Sequence, residues 1–305
     1  MLHVTNGTSV SLPQTGLPGN FVYWIDILHE GPVPAGMSLE QMSETRARFL
    51  DDTDGRLSTR DKALAGFRNH EEVILWFEHD LYDQLQLIQI LDWFAGRELG
   101  STKLSLICVG EYLGKLTPEE LMTLFPSRHE VSAPELKLGQ AAWTAYCSPD
   151  PSRIEDLLAA GTSALPYLAS AFMRHLEQFP STQNGLSRSE RQILEILSTG
   201  SRSFSAAFSA AADWEEAVFV GDCVFWNYIE GMRDARIPLV EGTREKLAIT
   251  SAGQDVLDGN ADAIALNGID RWLGGVHLIG PDSDWRWDSE RGRLVRKELT
   301  GANRR

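Results

Sequence analysis

Val73-Ile74-Leu75-Trp76-Phe77-Glu78-His79-Asp80-Leu81-Tyr82-Asp83-Gln84-Leu85 is the stretch that decides the fold. Its first half is a near-continuous apolar run, too short for a helix and suited to a strand buried on both faces. Its second half starts a different period. Leu81, Leu85, Ile88 and Leu91 recur at i, i+4, i+7 and i+10, which predicts a helix over Asp80–Gly96. A buried strand running straight into a helix is the repeating unit of a parallel α/β sheet.

Reading outward, three more runs have strand character: Leu2–Thr5, Phe21–Leu28 and Lys103–Val109. Leu39–Asp51 and Thr59–Asn69 carry helical spacing between them, and Thr117-Pro118-Glu119-Glu120 is a capping box with proline at the first helical position. The N-terminal part is therefore expected to be a largely parallel sheet flanked by helices. After residue 150 strands thin out. Ser152-Arg153-Ile154-Glu155 reads as a second capping box, Ser163–Phe179 as a helix, and Phe179–Gly185 as a polar break. Ser187-Arg188-Ser189-Glu190 opens a further helix, followed by Val218–Arg236, short strands at Pro238–Val240 and Lys246–Ile249, and a threonine-capped helix from Thr250 to Leu257. Helix, helix, hairpin, helix is the order of a winged-helix domain. The expected division is an α/β domain at 1–148, a helical connector at 149–182, and a mainly helical, winged-helix-like domain with a tail at 183–305.

Charge and composition narrow the function. The chain has 305 residues and a formal net charge of −15. Residues 1–150 hold 11 Lys+Arg against 21 Asp+Glu, and residues 186–259 hold 7 against 12. Phosphate contacts dominate nucleic-acid affinity, so such a surface argues against nucleic acid as a partner. No apolar run reaches the ~18 residues of a membrane span, and the start has no signal-peptide pattern. A soluble, cytoplasmic protein is expected. Cys108, Cys147 and Cys223 are far apart and never in a Cys-x-x-Cys pair, which argues against a disulfide framework or a thiolate zinc site.

Ligands of open α/β sheets bind beyond the carboxyl ends of the strands. Asn6-Gly7 follows the first predicted strand, Asp26 and then His29-Glu30-Gly31-Pro32 the second, His79-Asp80 and then Asp83-Gln84 the third, and Gly110-Glu111 the fourth. His29, His79, Asp80 and Asp83 are the candidate catalytic residues. Asn6, Asp26, Glu30 and Gln84 are the candidate ligand-binding residues. Imidazoles titrate near neutral pH, and carboxylates with imidazole can hold a divalent metal. Each residue also has a structural reading: Asp80 as a helix cap, Asp83 as a complement to the helix dipole, Asn6-Gly7 as a turn, either histidine as a hydrogen-bonded core residue. Gly110–Thr117 resembles a P-loop but has one residue too few between its glycines, a displaced Thr117 and a proline after it, so it is not expected to cradle a nucleotide. Asn267–Leu278, with Asp270, Arg271, Trp272 and a Gly-Gly pair, reads as a site or as a tryptophan anchor beside a tight turn. The tail from Arg286 carries an excess of basic residues.

Asp26-Ile27-Leu28-His29-Glu30-Gly31-Pro32-Val33, Leu75–Leu85 and the opening His3-Val4-Thr5-Asn6-Gly7 together resemble the bacterial family called domain of unknown function 1835, over roughly residues 1–125. Its members often carry a C-terminal extension similar to the one here. The resemblance implies that the strand-end residues form a family signature, and it implies no activity. Two functions remain open. One is an enzyme, a hydrolase or group transferase, acting on a small polar or phosphorylated substrate at the His/Asp cluster. The other is a ligand-sensing regulatory or adaptor protein that binds a protein partner through its winged-helix-like half.

Overall fold

The computed structural model describes residues 1–281 and 284–296. The chain forms two units, Met1–Phe172 with Gly274–Val276, and Met173–Leu273 with His277 onward. The first contains β1 (Leu2–Thr5), β2 (Asn20–Tyr23), α1 (Leu39–Leu50), α2 (Arg56–Ala65), β3 (Glu72–Phe77), α3 (Leu81–Ala95), β4 (Lys103–Cys108), α4 (Pro118–Leu124), β5 (His129–Glu130), α5 (Ala133–Tyr146) and α6 (Ser152–Ala160). α7 (Leu168–Leu176) begins in this unit and ends in the second.

Five strands form one sheet in the order β2-β1-β3-β4-β5. The first four are parallel and β5 runs antiparallel to β4. Thr5 lies opposite Tyr23 and Trp76, and Phe77 opposite Cys108, so the segments after β1, β2, β3 and β4 leave the same edge. Val73 to Phe77 are all buried, as the unbroken apolar run of β3 requires. α3 is buried on nearly every face, including Gln84, Gln86 and Gln89, rather than along one apolar stripe. α5 covers it closely: a Cβ placed on Gly139 would stand 2.4 Å from Leu91 Cβ.

Several local expectations change. The second strand ends at Tyr23, not Leu28. Trp24 N–H still donates to Thr5 O, at 2.7 Å. Beyond it the carbonyls turn to side chains. The fully buried Arg46 donates to Ile27 O at 3.0 Å and Glu30 O at 2.6 Å, and pairs with Asp26 Oδ1 at 2.8 Å. Arg60 adds a bond to Trp24 O at 2.7 Å and reaches Asp26 Oδ2 at 3.6 Å. Two arginines thus replace a neighbouring strand for this segment. α2 starts three residues before Thr59, because the Asp52 carboxylate accepts from the amides of Arg56 and Leu57. Ser152 is no helix cap: it is the first residue of α6, and Asp150 accepts its N–H and its hydroxyl. Only Leu168–Leu176 of Ser163–Phe179 is regular helix. The Thr117 box forms with both of its bonds.

The second unit contains α8 (Arg188–Ser198), α9 (Phe204–Ala212), α10 (Asp222–Arg233), β6 (Val240–Thr243), β7 (Lys246–Ile249), α11 (Ser251–Leu257), α12 (Ala263–Asn267), β8 (Ile269–Leu273), β9 (Val276–Gly280), β10 (Trp285–Asp288) and β11 (Arg293–Arg296), with Val276 assigned to the first unit. Ser187 and Glu190 form the box that opens α8, and Thr250 caps α11. α9 was not expected; its alanine-rich sequence has a cap at Ser203 but no polar face to give a period. Strands do not thin out as expected, since β6–β7, β8–β9 and β10–β11 are separate two-stranded ribbons. The part of the basic tail beyond Arg296 lies outside the described residues.

Removing one member of a buried ion pair leaves the other uncompensated. Arg46→Ala is expected to cost about 3–5 kcal/mol in urea denaturation. The double variant Asp26→Asn/Arg46→Met should recover most of that loss. A loss under 1 kcal/mol for Arg46→Ala would show that the pair does not hold this segment.

Candidate functional site

The sheet order reverses between β1 and β3, the position where open α/β sheets leave a crevice. Asn6 follows β1, and Glu78, His79 and Asp80 follow β3. Asp80 is the N-cap of α3: its Oδ1 accepts from Asp83 N at 3.1 Å. Asp83, in the first turn and fully buried, turns back to the strand. Its Oδ1 accepts from Glu78 N at 2.8 Å and its Oδ2 from Asn6 Nδ2 at 2.7 Å. Glu78 Oε1 accepts from the same Asn6 amide at 3.2 Å and from Leu113 N at 2.7 Å. Glu78, Asp80 and Asp83 each offer one oxygen to a group whose atoms lie within 4.8 Å of one another.

All three carboxylates are buried. Among the described residues no lysine, arginine or histidine forms an ion pair with any of them. Burial, and then repulsion from Asp80 and Glu78, holds the Asp83 carboxyl well above the usual carboxylate range. Burial lifts Asp80 to about 7, despite the Asp83 amide. Glu78 is also raised by burial, against the amides of Leu113 and Gly114, the Asn6 side chain and the charge of Lys115. Three like charges cannot be kept here unless protons are retained or a cation balances them.

Of the expected residues, Asn6, Asp80 and Asp83 meet in this cluster. His79 is half-buried beside it, with its ring 5.0 Å from that of Tyr112 and 6.0 Å from that of Tyr167. Its Nδ1 is shut away from solvent without a hydrogen-bond partner, and burial lowers its pKa, so the imidazole is neutral near pH 7. His29 is buried with its ring edge-on to Tyr82 at 6.0 Å, and the Tyr82 hydroxyl donates to Asn6 O at 3.3 Å. The remaining expected residues point to other work. Asp26 spends its carboxylate on Arg46 and Arg60. The Glu30 carbonyl accepts from Arg46. Gln84 Nε2 donates to Glu78 O at 2.6 Å, which steadies the strand end.

Glu78 was not among the expected site residues. It reads as the last residue of an apolar strand, and only the cost of a carboxylate at a strand end buried on both sides hints at a role. The P-loop-like segment has a related explanation. The amides of Leu113 and Gly114, which a true P-loop would turn to a phosphate, point at Glu78. Asn267–Leu278 spans the end of α12 and the β8–β9 ribbon, whose turn, in the segment Gly274–Val276, belongs to the first unit and has Gly274 at φ +60°. Trp272 is half-buried and stacks on His277 at 4.3 Å, and His277 bonds Asp270 at 2.6 Å. No family model matches the chain, and no curated protein matches it.

A carboxyl whose folded pKa is raised binds more protons folded than unfolded. Its stabilising contribution is present below the ordinary 3.8 and is lost as pH rises to about 7. Asparagine caps a helix as well as aspartate does. In metal-free buffer Asp80→Asn should therefore gain stability over the parent as pH rises from 4 to 7, by about 4 kcal/mol at most. Thermal unfolding across that range checks this, and a constant offset at every pH would count against it.

Proposed function

We propose that the α/β unit is an enzyme, a hydrolase or group transferase, acting on a small polar or phosphorylated substrate with a divalent cation held by Glu78, Asp80 and Asp83. The observation that supports this reading is the meeting of three buried carboxylates at the sheet's switch point, with no ion pair to any of them among the described residues. The donors are all oxygen, which suits Mg²⁺, Mn²⁺ or Ca²⁺ over softer metals. The three oxygens lie within 4.8 Å of one another, close enough for one cation to reach them all. Asn6 and the Glu78 amide fix the carboxylates from behind. Such a cation polarises a substrate oxygen or acidifies a bound water. His79, neutral and adjacent, supplies the acid–base group. Asp26 and Glu30 build the neighbouring loop. Membership of the domain of unknown function 1835 family is part of the proposal, since its quoted motifs carry Asn6, Glu78, Asp80 and Asp83. So is a cytoplasmic location; no helix among the described residues is long and apolar enough to cross a membrane.

A second reading concerns the other unit. α8, α9, α10 and the β6–β7 ribbon follow in winged-helix order, with Arg202 bridging to Leu247 beside the ribbon. Arg233 on α10 is held by Glu230 and Asp234, which leaves that helix poorly suited to phosphates. This supports a winged-helix module that binds a protein.

Thermal unfolding with Mg²⁺, Mn²⁺, Ca²⁺ and Zn²⁺ tests the first reading. A cation at ~100 times its Kd should add about 2.7 kcal/mol. Asp80→Asn, which keeps the cap, should lose the response. Absence of a shift with every cation, or an unchanged shift in the variant, would overturn the metal-site reading.

A further inference from the structure

We infer that the substrate of this site is a phosphorylated compound carrying a planar ring, with a nucleoside monophosphate as its simplest form. The inference rests on the metal-site reading above and concerns the rim beside the carboxylates. His79 from the end of β3, Tyr112 from the loop after β4 and Tyr167 from the segment before α7 bring three rings together there. Lys115 stands next to them. Its Nζ lies 4.4 Å from the centre of the Tyr112 ring, and its charge acts on Glu78.

These groups match two parts of one ligand. A phosphate on a carboxylate-held divalent cation needs a second positive group on its far side, and an exposed lysine is a common one. A planar ring gains most by stacking on an aromatic face, worth about tenfold or more in affinity. Lys115 now covers a face of Tyr112 by a cation–π contact. Moving its ammonium to a phosphate uncovers that face for the ring. The phosphate is held by the cation and Lys115, not by loop amides as in a P-loop, because Glu78 already takes those of Leu113 and Gly114.

Isothermal titration in saturating Mg²⁺ tests this with AMP, GMP, CMP and UMP against ribose 5-phosphate and the matching nucleosides. At least one nucleotide should bind about tenfold more tightly than ribose 5-phosphate and than its own nucleoside. Tyr112→Ala should bring it to the ribose 5-phosphate level while Tyr112→Phe keeps it. Lys115→Ala should bring it to the nucleoside level, with circular dichroism confirming that each variant is folded. If Mg²⁺ binds through Asp80 but no nucleotide outbinds ribose 5-phosphate, or Tyr112→Ala changes nothing, the inference falls and the metal-site reading stands. If Mg²⁺ itself does not bind, both fall.

Discussion

The carboxylate of Glu78 ties together the carboxyl edge of the sheet. β3 is buried on both faces, so a polar side chain at its end must find partners in neighbouring loops. One oxygen accepts from Asn6, which follows β1, and from Leu113, in the loop after β4. Its own N–H goes to Asp83, in the first turn of α3. Three strand ends and one helix start therefore meet at a single residue.

Asp26, in the segment after β2, is also a buried carboxylate, and it is handled differently. Asp26 is met by two arginines, so its charge is settled within the chain and it builds a loop. Glu78, Asp80 and Asp83 receive hydrogen bonds from amides and from Asn6 but, among the described residues, no ion pair. Hydrogen bonds orient carboxylates; they do not cancel like charges at this separation. A group left uncompensated by its own protein is one whose balance comes from protons or a cation. This contrast separates the candidate centre from the ordinary buried ion pair, although both lie in strand-end segments that look alike in sequence.

Much of the first unit was legible in the sequence, because its strands are continuous apolar runs and α3 begins with a capping aspartate. Asn6, Asp80 and Asp83, picked out by the rule that ligands bind beyond strand ends, meet in one cluster. The rule does not show that Asp26 pairs with Arg46, 20 residues away on a helix, since nothing local reveals a side chain that replaces a strand. It also passed over Glu78, Tyr112 and Lys115. These residues are brought beside the cluster by segments meeting across the sheet, and no periodicity records that. In the second unit α9 escaped for the opposite reason: an alanine-rich helix has no polar face to set its period.

The order β2-β1-β3 has a consequence in time as well as in space. β3, α3 and β4 are close in sequence and can assemble locally. β1 must be inserted between β2 and β3, and its partner β3 begins about 70 residues later, so this closure is the costly one. Until β1 is docked, Asn6 is absent and Glu78 and Asp83 lack the amide that bridges them. The centre is thus complete only once β1, with the edge strand β2 that pairs to it alone, has docked on β3. A chain arrested before that step would have most of its secondary structure and its three carboxylates, without the amide that ties two of them together.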